Sequence, residues 1–188
     1  PMKTLYLECN MGAAGDMLTA ALYELLDEQQ KADFLKTMNG LLPGVTVEAV
    51  PAVSCGIAGT RMEVRVHGEE EESHDLPMGA PIPSVHEHPH DHEHHHHHHH
   101  ASPGDIDHIL DHLAVPEDVR ENAKAVYRRI ADAEAKAHGV PVTEVHFHEV
   151  GALDAVADVT GVCLALHLIE ADTIVASPIH VGCGQVRC

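Results

Sequence analysis

Val145-His146-Phe147-His148-Glu149-Val150-Gly151-Ala152-Leu153-Asp154-Ala155-Val156-Ala157-Asp158 is the stretch on which the reading of this chain turns. Its first half alternates like a strand, which places His146 and His148 on one face and Phe147 and Glu149 on the other. After Gly151 the apolar spacing becomes helical, with Ala155, Val159, Val162, Leu166 and Ile169 in one stripe. Asp154 and Asp158, four residues apart, then share a helix face. A strand running into a helix is the repeating unit of α/β folds. Imidazoles and carboxylates meeting at such a junction suit a divalent cation or a phosphate–metal complex. Taken singly, Asp154 is a first-turn acid favoured by the helix dipole, and each histidine is an ordinary core or surface residue. The cluster as a whole points to a site.

On the C-terminal side, Thr173–Ala176 reads as a buried strand and Ile179–Gly182 as another short one, which adds His180 and Cys183 as candidates. The chain ends in the glycine-rich text Gly182–Cys188, without helix or cap, so a fragment of a longer protein is expected. On the N-terminal side, Pro116 opens a long helix with the stripe Val119, Ala123, Val126, Ile130, Ala133 and Ala137, stopped at His138-Gly139. Before it, Ser102-Pro103-Gly104-Asp105 is a helix start with an N-cap serine and proline at the first position. Ile106, Ile109, Leu110 and Leu113 are its apolar side.

The start of the chain repeats the strand–loop–helix pattern. Thr4–Cys9 is strand-like, Asn10-Met11-Gly12-Ala13-Ala14-Gly15-Asp16 is a glycine-punctuated loop, and Leu18, Leu22 and Leu25 with Ala21 and Leu26 mark a helix. Such a loop leaves N–H groups free to hold an anion at the helix's positive end, through Gly12, Ala13, Ala14 and Gly15. It matches neither the Walker nor the dinucleotide pattern. Asp16 is either a helix-starting acid or part of the site. A second helix spans about 31–41, and Val45–Val50 and Thr60–Val66 alternate as two antiparallel strands around a glycine-rich loop.

Composition narrows the function. Thirty acidic residues stand against 11 Lys and Arg, for a net charge of -19, which argues against nucleic acid or an anionic membrane as partner. Five scattered cysteines without a C-x-x-C pair make neither a disulfide framework nor a zinc ribbon. No signal peptide or membrane-spanning run is seen, so the cytoplasm is the expected compartment. More than half of the 20 histidines fall in one tract. There His86, His88, His90 and His92 alternate with acids or proline before an unbroken run from His94 to His100. The tract cannot build a core, and a mobile loop able to hold nickel, zinc, copper or iron loosely is expected. The fold class is therefore α/β (α+β), one domain from residues 1–66 and 104–188 with a mixed sheet and helices, interrupted by an acidic and His-rich insertion at 67–103.

Three pieces resemble one family. Glu8-Cys9-Asn10-Met11-Gly12-Ala13-Ala14-Gly15-Asp16-Met17 is similar to its N-terminal glycine-loop signature, and His146-Phe147-His148-Glu149-Val150-Gly151 with Asp154 and Asp158 to its most characteristic block. The His-rich insertion lies between them, as in many members. The family is that of the LarC-type nickel-insertion proteins of the lactate racemase cofactor pathway. The resemblance implies a nickel chelatase of the lyase class that inserts Ni(2+) into pyridinium-3,5-bisthiocarboxylic acid mononucleotide. It also implies CTP with Mg(2+) or Mn(2+) in the full-length protein, through a C-terminal domain that this chain lacks, and lactate racemase as a downstream partner. In that reading His146, His148 and His180 hold nickel, with His86, His88, His90, His92 and His94 as the loop's metal ligands. A carboxylate among Glu149, Asp154, Asp158 and Asp16 acts as base or ligand. Because Glu149 lies opposite the histidines on an ideal strand, a turn or bulge is required for all three to share a site. The competing classes are a nickel store without chemistry, resting on the histidine tract, and a phosphate-handling hydrolase, resting on the glycine loop.

Overall fold

A computed structural model describes residues 2–69, 101–147 and 149–182. Its chain order is β1 (Thr4–Leu7), α1 (Gly15–Glu24), α2 (Glu28–Asn39), β2 (Val45–Ser54), β3 (Ile57–Val66), α3 (Pro103–Asp111), α4 (Glu117–His138), α5 (Leu153–Ile169) and β4 (Thr173–Ala176). The class is α/β, with both expected kinds of strand pairing. β1 pairs with β4 in parallel, Thr4 beside Thr173 through Leu7 beside Ala176, and β2 pairs with β3 antiparallel.

α5 organises the core. Val156, Ala157, Thr160, Gly161, Cys163, Leu164, Ala165 and Ile169 are all buried, and α1, α2, α4 and the β2–β3 hairpin each touch it. The single stripe expected from Ala155, Val159, Val162 and Leu166 is therefore a misreading, as those four are only half-buried. A helix surrounded by neighbours needs small and apolar residues nearly all round, and it carries no one-sided pattern to detect. Gly161 marks the closest approach: a Cβ there would lie 3.3 Å from Met38 Cε and 3.4 Å from Thr19 Cγ2.

α4 corrects a second stripe. Its core positions are Val119, Ala123, Tyr127, Ala131 and Ala135, one step round from the expected row, and Val126 is 38% exposed. Tyr127 takes the inward place because its ring packs on Phe147 (centroids 5.8 Å apart) while its hydroxyl donates to the Val150 carbonyl at 3.0 Å. α1 turns likewise: Thr19, Ala20 and Leu22 are buried, whereas Ala21 and Leu25 are exposed.

Local signals set the remaining boundaries. α2 begins at Glu28, earlier than expected, because Asp27 and Gln30 form a reciprocal capping box. Asn39 then clamps α2 to β2, donating to Val47 O at 2.8 Å and accepting from Val47 N at 3.0 Å. Both hairpin strands run longer than expected, joined by Cys55-Gly56 with φ of 52° and 81°, a two-residue turn of the kind that matches strand twist. α3 starts as its sequence implies, with Ser102 and Asp105 capping each other. β4 is not buried: Ile174 and Val175, on opposite faces, are 48% and 45% exposed. With β1 as its one partner among the described strands, it has no second strand to shelter it. Ile179–Gly182 forms no strand. No helix among the described residues is long and apolar enough to cross a membrane.

Gly161→Val adds three carbons where one already makes tight contact, so it is expected to cost about 1–3 kcal/mol of stability. A lower urea midpoint at unchanged slope checks this.

Candidate active site

In the parallel pair both strands end on the same side, and the segments that follow them run together. Ser177 N donates to Leu7 O at 2.9 Å, the Ser177 hydroxyl accepts from Cys9 N at 2.8 Å, and Cys9 O accepts from both Gly12 N (3.1 Å) and His180 N (3.0 Å). The glycine loop is thus braced by the chain leaving β4. Gly12 sits at φ 99°, a conformation that side-chain-bearing residues avoid, and so turns the loop toward α1. Ser177 went unremarked in the sequence, where nothing distinguishes it from a loop serine.

The first turn of α1 meets α5 one turn in from its start. A Cβ on Gly15 would lie 2.7 Å from Asp158 Cβ and 3.0 Å from its Oδ2, so only glycine fits there. Neither Ala14 nor Ala152, the two N-cap residues, supplies a side-chain cap. Asp16, Asp154 and Asp158 therefore gather at two helix starts whose N–H groups are left for other acceptors. Asp154 Oδ1 and Asp158 Oδ1 are buried without a hydrogen-bond partner. Burial first, then the charges of Asp16 and Asp154, push the Asp158 carboxyl up to about 7 from an ordinary 3.8. Burial and the nearby Asp154 and Asp158 likewise raise Tyr127, so its hydroxyl stays protonated and keeps its bond to Val150 O. Tyr127 is the neighbour that the sequence reading missed. Its signal was a tyrosine at helical spacing from Ala123 and Ala131, where the buried hydroxyl requires a partner.

The histidine segment keeps the alternation expected of a strand as far as it is described. Val145 and Phe147 are buried and His146 is exposed, and among the described residues its pairing is the bridge from Phe147 N to Ala101 O at 2.9 Å. At Glu149 the chain turns into a short 3-10 helix, Glu149–Gly151. The backbone therefore turns there, with the Glu149 side chain outside what is described. Gly151 allows it, since a Cβ there would press on Ala101 and Phe147 Cβ atoms, each at 3.0 Å. His146 stands by the start of α3, where the Ser102 hydrogen bonds, then the charge of His108 and last that of His146 hold Asp105 below its usual range. His180 stands beside the glycine loop. His148, the loop histidines His86, His88, His90, His92 and His94, and Cys183 lie outside the described residues. Among the described residues, no group of three or more His, Cys, Asp or Glu side chains is placed to hold a metal ion. What the structure gathers is carboxylate: Asp16, Asp154 and Asp158. The described cysteines Cys9, Cys55 and Cys163 are free thiols, and burial pushes Cys163 up to about 11, which makes it inert.

The profile of the nickel insertion protein family matches residues 5–188. The chain belongs to that family. It is 38% identical to the pyridinium-3,5-bisthiocarboxylic acid mononucleotide nickel insertion protein of Lactiplantibacillus plantarum, over 99% of this chain and 42% of that protein. It is 35% identical to the protein of the same name from Clostridium kluyveri, over 100% of this chain and 43% of the relative. A putative nickel insertion protein of Methanococcoides burtonii is 35% identical over 99% of this chain and 39% of its own length. The chain thus spans about two-fifths of the length of these curated relatives. No solved structure matches it.

Asp158 carries its proton more tightly when folded than when unfolded, so its contribution to stability is complete below about pH 4. That contribution is lost as pH rises toward its folded value of about 7. Asp158→Asn removes this dependence. The melting temperature of the variant relative to the parent is expected to rise from pH 4 to about pH 7 and level off above it in thermal melts without metal, whereas a constant difference across that range would contradict the elevated carboxyl.

Proposed function

We propose that this chain is the N-terminal part of an enzyme that inserts nickel into pyridinium-3,5-bisthiocarboxylic acid mononucleotide, the precursor of the nickel-pincer cofactor of lactate racemase. The observation that carries the proposal is the contact of Gly15 with Asp158, which sets an anion-accepting helix start beside an ionisable carboxylate cluster. In this reading the phosphate of the mononucleotide rests on the N–H groups of Gly12-Ala13-Ala14-Gly15 and the first turn of α1. The partnerless oxygens of Asp154 and Asp158 fit a divalent cation, Mg(2+) or Mn(2+), whose charge would offset the crowding of acids and phosphate.

Nickel is a substrate of the reaction. A ring C–H bond breaks, a nickel–carbon bond forms in its place, and the ring proton leaves to a base. Asp158 suits that step whenever no cation is bound to it, because a carboxyl raised to about 7 is both substantially ionised and able to hold the proton it takes. Glu149, Asp154 and Asp16 are the other carboxylates of the set. His146, His148 and His180 are proposed to present nickel as neutral imidazoles. CTP is proposed to enter through the C-terminal domain of the complete protein, with lactate racemase receiving the finished cofactor. The alternative, a nickel store, is favoured by the histidines from His86 to His100.

Nickel content after dialysis separates the two readings. A variant lacking residues 86–100 is expected to retain about one tight nickel when the pyridinium mononucleotide is present, and to lose it on His146→Ala with His148→Ala. If all nickel disappears with the tract, the store reading stands. In the complete protein, His148→Ala is expected to slow nickel insertion by roughly tenfold or more while the fold is kept.

A further inference from the structure

We propose that His108 and His112 form a separate metal site on the outward side of α3, a two-imidazole chelate for a divalent cation of the nickel, copper or zinc type. The sequence His108-Ile109-Leu110-Asp111-His112 places the two rings four residues apart, the spacing by which one helix face presents two imidazoles to one ion. Ile106 and Leu110 face inward and are fully buried, which turns His108 and His112 out to solvent. The rings already lie together, with centroids 4.4 Å apart and planes 35° from parallel.

The hydrogen bonding of His112 suits a ligand. Its Nδ1 is 2.7 Å from the carbonyl oxygen of His108, and because a carbonyl only accepts, Nδ1 carries the proton. The neutral ring therefore keeps its free lone pair on Nε2. A ring N–H fixed on a backbone carbonyl, with the other nitrogen free, is the arrangement that metal-bound histidines adopt. The frame is rigid as well: α3 starts in the Ser102–Asp105 capping box and is anchored by its buried residues, so little freedom remains to be lost on binding.

Neighbouring carboxylates decide what kind of site this is. Asp111, between the histidines in sequence, is tied to Lys124 by a salt bridge, and Asp105 is held by the backbone N–H and hydroxyl of Ser102. Neither is free to activate a water, which argues for binding rather than hydrolysis. Two imidazoles leave the other positions of the ion to water, so such a site exchanges its metal readily. The acidic chain, at a net charge of -19, raises the local concentration of cations around it. The inference rests on imidazole chemistry and the geometry of α3, and it stands or falls apart from the proposed nickel insertion.

The test is calorimetric titration with nickel chloride, on the full chain with the histidines of residues 86–100 replaced by glutamine to remove competing ligands. His108→Ala and His112→Ala are each expected to weaken one nickel equivalent by roughly tenfold or more, because a chelate needs both rings. His146→Ala with His148→Ala should leave that equivalent in place. Circular dichroism without metal verifies the fold of each variant; if His112→Ala at the helix end unfolds, His112→Gln replaces it. An isotherm insensitive to either histidine, a loss seen with only one of the two, or no such equivalent in the parent overturns the proposal.

Discussion

The approach of Gly15 to Asp158 is the constraint on which the site depends. With no side chain on Gly15, the first turn of α1 comes within van der Waals reach of the Asp158 side chain, where a Cβ would stand 2.7 Å from the aspartate Cβ. That closeness presses Asp16 on Asp158, shields one Asp158 oxygen from water, and sets the uncapped start of α1 against α5 one turn in from its own uncapped start. The glycine loop before α1 must then be held, and the chain leaving β4 does so through Ser177 and His180 on Cys9. The parallel pairing of β1 and β4 fixes that bracing in turn, since it is what carries both strands to the same end.

The cost of this arrangement falls on the carboxylates. Three acids near two helix starts gain from the dipoles, but a buried oxygen without a donor loses more than a first-turn position returns. Asp158 responds by holding its proton to about pH 7. A group in that state sits between two conditions, protonated and neutral or ionised and paired with a cation, and a small change in its surroundings decides between them. Surface acids elsewhere show the contrast: Asp118 faces His167 at 2.6 Å and is held low, as an ordinary paired carboxylate is.

The parts of this geometry legible in the sequence were those written by local rules. The glycine loop, the Ser102-Pro103 helix start and the four-residue spacing of Asp154 and Asp158 depend on a few adjacent residues each. Readings that failed needed knowledge of neighbours. α5 looked one-sided because its small residues, Gly161 and Ala165 among them, register as weakly apolar, yet α1, α4 and the hairpin close over them. In α4 the Val126 row scored as well as the Tyr127 row by hydrophobicity. Tyr127 won because Phe147 and the Val150 carbonyl satisfy both ends of its side chain, and both come from a segment about twenty residues away. Thr173–Ala176 reads as interior by composition, but burial of a strand is set by how many strands flank it.

The same distinction bears on the His146 segment. Alternation survives over Val145, His146 and Phe147 because the Phe147 ring must reach Tyr127, and this alone orients the segment. Among the described residues its backbone partner is Ala101, just ahead of the Ser102 cap. Beyond it Gly151 must pass close to Ala101 and Phe147, which bends the chain into a 3-10 turn instead of letting it extend. The turn directs the backbone into the first turn of α5, so that Asp154 follows the histidine block by one short helical step. Packing of Phe147 and Gly151 thereby sets where the chain leaves the Ala101 bridge and enters α5.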